Sequence, residues 1–155
     1  ELNTGVTVVW GAPGFTDCPI HDAVYASCAL PGVFPPKRIG DYYFIDGAVS
    51  ESLPVSVAVA HRADVIVAVH LQYLDYTMAR PVQDEGVISI LGRANTIMGH
   101  ANTEMTLAQF ASAPIIVVRP RVSDHGILEF RNIDMLVKEG IRAAKRVLPG
   151  NPLLA

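Results

Sequence analysis

The hydrophobic positions of this chain follow two spacings, and these predict alternating strands and helices. Apolar and β-branched runs bounded by glycine, proline or charged residues are typical of short strands. Apolar residues that recur every three or four positions are typical of helices. The predicted strands are residues 6–10, 42–45, 64–69 and 115–118, and the predicted helices are about 23–30, 55–62, 86–111 and 132–148.

Strands that alternate with helices predict an α/β fold with a mostly parallel sheet. The run at 64–69 is nearly all apolar, which is typical of a strand buried on both faces. We expect Asp22 and Asn132 to cap the first and last helices, and Met98 and Met105 to face the core from the long helix. Four strands make a thin sheet, so the pattern favours the second half of a larger three-layer α/β/α domain.

The strand at 42–45 leads directly into Asp46, followed by Gly47 and Ala48. A carboxylate at the C-terminal end of a strand stands where open α/β sheets place ligands and chemistry. The glycine allows a sharp turn and a close approach by another group. Asp-Gly is also a common turn pair, so a turn aspartate is the alternative. A proline-stiffened loop before the strand and a proline-led helix after it favour a functional role, and Asp46 is the candidate catalytic residue.

No obvious nucleophile accompanies this aspartate. The chain holds no Gly-x-Ser-x-Gly elbow, no phosphate-binding loop and no Gly-x-Gly-x-x-Gly. The five histidines include no pair at the i, i+4 spacing of a helical zinc site, and no cysteine pair supports one. We therefore predict no metal and no organic cofactor. His70 ends the strand at 64–69, so it is either near a functional sheet edge or a plain edge residue.

Composition limits the class of protein. Half of the residues are hydrophobic and the mean hydropathy is +0.32, yet no run approaches the roughly 20 apolar residues that span a bilayer. This balance suggests surface that a partner, a lipid-like ligand or the rest of the protein covers. The net charge of −3, with no basic stripe, gives no support to nucleic-acid binding. Cys18 and Cys28 cannot form a disulfide framework, and in a reducing compartment they are expected to be ordinary small apolar residues or free thiols. The chain begins without methionine or a signal-peptide pattern, so we expect it to start inside a longer protein.

Several blocks of the sequence carry a family resemblance. They are ASCALPGVFPP at 26–36, YFIDGA at 43–48, LPV at 53–55, ADVIVAV at 63–69, and a tail that includes Arg119-Pro120 and GILEF at 126–130. Together they resemble the patatin-like phospholipase family over nearly the whole chain.

The resemblance implies a function and a site. That family hydrolyses acyl esters with a Ser–Asp dyad, in which the serine lies in a Gly-x-Ser-x-Gly elbow and the aspartate in an Asp-Gly-Gly or Asp-Gly-Ala motif. Asp46, Gly47 and Ala48 match the second motif. Residues 1–155 would then be the C-terminal portion of a single patatin-like domain, which supplies the catalytic aspartate but not the serine and is inactive alone.

The same resemblance implies the partners. We expect a phospholipid, lysophospholipid or other acyl-ester substrate, the N-terminal half of the same domain, and transient contact with a membrane surface. Separately, an apolar face left uncovered by the missing half would favour self-association into a homo-oligomer. The expected location is the cytoplasm, in association with membranes. The alternative is a non-catalytic α/β binding or regulatory module that keeps the same scaffold.

Overall fold

A computed structural model of the chain describes residues 1–71, 74, 82, 84–122 and 131–154. The chain divides into two compact units, residues Glu1–Ser52 and Leu53–Ala155. Most of the connection predicted at 71–83, and the family block at 126–130, lie outside the described residues. The elements are α1 (Ile20–Ser27), β1 (Lys37–Ile39), β2 (Tyr42–Phe44), α2 (Ala48–Glu51), α3 (Val55–Ala60), β3 (Ile66–Val69), α4 (Val87–Gln109), β4 (Ile115–Val118), α5 (Ile133–Val147) and a 3₁₀ turn at Pro152–Leu154.

The first unit is built around an antiparallel hairpin. β1 pairs with β2 so that Lys37 lies opposite Phe44 and Ile39 opposite Tyr42. The two-residue turn between them begins with Gly40, whose φ of +60° suits glycine. Phe44 is buried, and the ring of Trp10 packs edge-on against it with 5.0 Å between ring centroids. The hairpin replaces part of the loop predicted before residue 41, because this segment has a strand to pair with.

Two further expectations for the first unit are wrong. Residues 6–10 form no strand, because no strand in the described ranges pairs with them and an isolated extended segment has no hydrogen-bond ladder. Asp22 does not cap α1, since the N-cap residue is Pro19 and Asp22 lies within the first turn of the helix. There its carboxylate forms an ion pair with Lys37, and a negative charge in the first turn of a helix is favoured by the helix dipole.

The second unit contains a parallel strand pair. β3 and β4 run side by side from Ile66 opposite Ile115 to Val69 opposite Val118. Ile66 packs in a buried cluster with its strand neighbour Ala68 and with Leu53 and Val55 at the start of α3, and Leu107 and Phe110 from the end of α4 close over this cluster. The parallel pair with its helices confirms the predicted α/β fold class.

β3 is buried on one face, not on both as its sequence predicts. Ile66 and Ala68 point into the core, whereas Val67 and Val69 are about half exposed. The helices α3 and α4 contribute the residues that cover the first face. A continuous apolar run does not show which of the two faces of the strand will be packed against helices.

The long helix is confirmed as α4, but it turns a different face inward from the one predicted. Met98 and Met105 are exposed, Met105 by 73%, and are not core residues. The face with Gly99, His100 and Thr103 is buried instead. The last helix is confirmed as α5. Asn132 stands at its N-cap position, but the Asn132 side chain makes no capping hydrogen bond to the described residues of the helix, so the predicted cap is confirmed in position only. No helix in the described ranges is long and apolar enough to cross a bilayer.

Candidate functional site

Asp46 follows the last residues of the hairpin and is held by the main chain. Its N–H donates to the carbonyl of Ala29 at 3.0 Å, and its own carbonyl accepts the N–H of Val49 at 3.2 Å. Its carboxylate oxygen Oδ1 accepts the N–H of Ala48 at 2.8 Å. These bonds fix the side chain at the entry to α2. Oδ2 accepts no hydrogen bond from any residue in the described part of the chain.

The half-buried Asp46 lines a cleft of about 300 Å³ within the first unit. Gly47, Ser27 and Ser50 lie on the same cleft, but neither serine is framed by glycines. Most of the wall is apolar and includes Leu2, Val6, Val8, Trp10, Phe44 and Val49. A carboxylate with a free oxygen beside an apolar cleft can take a proton from a hydroxyl group or from water.

A larger hollow, about 440 Å³, lies at the start of α5. All of its lining residues come from the single segment 131–138, and they include Asp134 and Lys138. Ligand sites are usually built from several elements with polar groups that converge on one point. This cavity is a surface groove at the N-terminal end of α5. The Asp46 cleft is therefore the better candidate for a ligand site.

A second group of polar side chains lies in the other unit, at the C-terminal edge of the parallel strands. His70 follows β3 directly and Arg119 follows β4, so both stand at the same edge, as the sequence suggested for His70. Arg119 Nη2 donates to Glu104 Oε1 at 2.8 Å, and His70 Nδ1 lies 3.8 Å from the same oxygen. The ring of His100 stacks on that of His70, with 5.7 Å between centroids and 17° between planes. We call His70, His100 and Glu104 the histidine cluster.

Burial sets the charge of His70. His70 is only 1% exposed and His100 is buried beside it. Burial lowers the pKa of His70, and the positive charge of Arg119 and the neighbouring His100 lower it further, whereas Glu104 opposes the shift. His70 is therefore a neutral imidazole at physiological pH.

Sequence reasoning missed His100 and Glu104. Histidine pairs at helical spacing do not occur in the chain, so that pattern does not point to them. His100 and Glu104 are at i and i+4 on α4 and therefore lie one turn apart on one face. A mixed histidine–carboxylate pair is the signal that could have found them. His21 and His61 are exposed and take no part, and His125 lies outside the described residues.

Comparison with known proteins gives a match to a family model and matches to curated relatives. A family model described as patatin-like phospholipase matches residues 11–59, a stretch that includes Asp46, Gly47 and Ala48. Two curated relatives are uncharacterized NTE family proteins, from Mycobacterium tuberculosis (strain ATCC 25618 / H37Rv) and from Mycobacterium bovis (strain ATCC BAA-935 / AF2122/97). Each is 26% identical over 150 residues, which cover 86% of this chain and 26% of the relative.

These matches confirm the predicted resemblance to the patatin-like phospholipase family. The chain spans about a quarter of the length of the curated relatives it matches.

Proposed function

We propose that this chain supplies Asp46 as the catalytic acid–base residue of an acyl-ester hydrolase of the Ser–Asp dyad type, acting on phospholipids or lysophospholipids. One observation carries the proposal. Asp46 lies inside the family-matched stretch and on an apolar cleft, with one carboxylate oxygen held by Ala48 and the other without a hydrogen bond from the described residues.

The different environments of the two Asp46 carboxylate oxygens suit acid–base catalysis of ester hydrolysis, because Oδ1 is held by the Ala48 N–H and Oδ2 can accept a proton. A serine hydroxyl is a weak nucleophile and needs a base. Asp46 Oδ2 would accept the serine proton while the serine oxygen attacks the ester carbonyl carbon. The proton would then pass to the departing alcohol oxygen as the ester bond breaks, which leaves an acyl-serine. In the second half, a water would give its proton to Asp46 and attack the acyl carbon, and the serine oxygen would leave with that proton.

The serine of this proposal comes from the N-terminal portion of the same domain, because the chain itself holds no Gly-x-Ser-x-Gly elbow. The donors that stabilise the oxyanion would come from that portion too, and loss of one such donor costs about 10²-fold or more in rate. We therefore propose that residues 1–155 have no esterase activity alone.

The test compares two aspartates in the full-length protein from the source organism. Asp46→Asn keeps an amide oxygen that can accept the Ala48 N–H but removes the proton acceptor. We expect it to lower kcat for lysophospholipid hydrolysis by about 10²–10⁴-fold. The matched control is Asp41→Asn. Asp41 lies in the exposed hairpin turn, and its carboxylate forms an ion pair with Arg38 at the surface. This substitution should leave kcat unchanged.

Three outcomes count against the proposal. Full activity in Asp46→Asn removes its catalytic role. Ester turnover by the 155-residue chain, lost in Asp46→Asn, refutes the separation of the serine from the aspartate. No hydrolysis by the full-length protein, together with no serine labelled by a fluorophosphonate probe, supports the non-catalytic module instead.

A further inference from the structure

We propose that the histidine cluster is a binding site for a divalent transition-metal ion of the zinc type, held by His70, His100 and Glu104. One ligand atom from each of these side chains lies within 4.8 Å of the others, and the two histidines are buried. The site lies wholly within the second unit and is independent of the function proposed for Asp46.

The geometry requires only a small adjustment. Zinc bonds of about 2.0–2.1 Å in a tetrahedral arrangement place neighbouring ligand atoms roughly 3.4 Å apart. His70 Nδ1 and Glu104 Oε1 are already 3.8 Å apart. The widest separation is at most 4.8 Å and must shrink by up to about 1.4 Å. The Glu104 side chain can move toward the histidines, because it is 43% exposed and has three rotatable bonds. His100 and Glu104 share one face of α4, which presents both to the same point.

The ligand set selects the class of ion. Two imidazoles and one carboxylate form a known three-ligand zinc set that leaves a fourth position open. Imidazole nitrogens favour zinc, copper, iron and nickel, whereas magnesium and calcium prefer oxygen-only sets.

Arg119 has two opposing effects on such a site. Its hydrogen bond to Glu104 Oε1 orients the carboxylate, as outer partners of metal ligands commonly do. Its positive charge also repels a cation, and this lowers the affinity. Arg119 is partly exposed, so solvent screens much of that repulsion. Oε2 of Glu104 accepts no hydrogen bond from the described residues and remains available to the ion.

The experiment measures zinc binding to the chelator-treated chain. We expect calorimetric titration with Zn²⁺ to give one ion per chain, zinc to raise the melting temperature, and a chelator to reverse this rise. Titration with Co²⁺ should produce the visible absorption bands of a tetrahedral or five-coordinate nitrogen–oxygen site. Mg²⁺ at the same concentrations should give none of these effects.

Variants assign the ion to the cluster. Loss of an outer partner typically costs about 10–100-fold in metal affinity, so loss of a direct ligand in Glu104→Gln should weaken zinc binding by at least about 10-fold. This substitution keeps the size of the side chain and an oxygen for Arg119, so the fold is expected to survive. His100→Gln should also weaken zinc binding by at least about 10-fold. If replacement of this buried histidine unfolds the chain, the result for Glu104→Gln tests the assignment by itself.

The controls are His61→Gln, at an exposed histidine after α3, and a double substitution of Cys18 and Cys28 by serine. Each should leave the zinc affinity unchanged. The proposal is overturned if the chain binds no zinc, if Glu104→Gln binds it as tightly as the parent chain, or if either control abolishes binding.

Discussion

Replacement of Ile66 by alanine tests the one-sided core of the second unit. Ile66 is 7% exposed and packs against Leu53, Val55 and Ala68. The change removes three buried carbon atoms, at about 0.8 kcal/mol each, and leaves a cavity that the neighbours only partly fill. We expect the free energy of unfolding to fall by about 2–4 kcal/mol.

The matched control is Val67→Ala, one residue along the same strand. Val67 is 47% exposed, and two half-exposed carbon atoms are worth only about 0.5–1 kcal/mol. Both substitutions replace a β-branched residue in β3, so they share the change in strand preference and differ mainly in burial.

Urea denaturation followed by far-ultraviolet circular dichroism measures both variants. Fluorescence is less suitable, because the single tryptophan, Trp10, belongs to the other unit. The slope of the unfolding free energy against urea should stay constant, so that the midpoint reports stability. If Val67→Ala destabilises the chain as much as Ile66→Ala, the exposed face of β3 is covered in solution and the reasoning is refuted.

Two further predictions concern charge and backbone conformation. The N–H of Arg121 and the guanidinium of Arg142 hold the pKa of Glu139 below its ordinary value of 4.5, so its contribution to stability is present above that pH and is lost as the pH falls through the lower folded pKa. Thermal melts between about pH 7 and pH 3 should therefore show that Glu139→Gln lowers stability at neutral pH and flattens the acid loss; parallel curves for the two proteins contradict this. Gly86 has φ +91° and ψ 170°, a region open almost only to glycine, so Gly86→Ala should destabilise the chain by about 1–3 kcal/mol in urea denaturation. Gly92→Ala, inside α4 with open space for the new methyl group, should instead stabilise it by up to about 1 kcal/mol, and the same sign for both substitutions is the contrary result.

Local patterns predicted the elements well where they were long or fully apolar. The period of α4 and the runs of β3 and β4 each identified the element within about two residues at each end. The pairing of residues 37–39 with β2 and the unpaired state of residues 6–10 were not predictable in this way. Both depend on which segment lies alongside, and a single segment does not contain that information.

The faces of the elements were harder to predict than the elements themselves. Met98 and Met105 fit an apolar stripe, yet α4 buries the face with His100 and Thr103. Hydrophobicity alone predicts that the methionines of α4 face the core. In the structure, His70 at the end of β3 instead packs against the face of α4 that carries His100. In contrast, the position of Asp46 between a strand and a turn was predictable, because a strand end and a turn are local features.

The main-chain bonds around Asp46 have an evolutionary consequence. The groups that hold it are the carbonyl of Ala29 and the amides of Ala48 and Val49, and none of them is a side chain. Substitutions at Ala48 and Val49 can therefore accumulate by drift without turning the carboxylate away, whereas Ala29 is buried and leaves no room for a larger side chain. Proline at position 48 or 49 is the exception, because it has no amide hydrogen to donate.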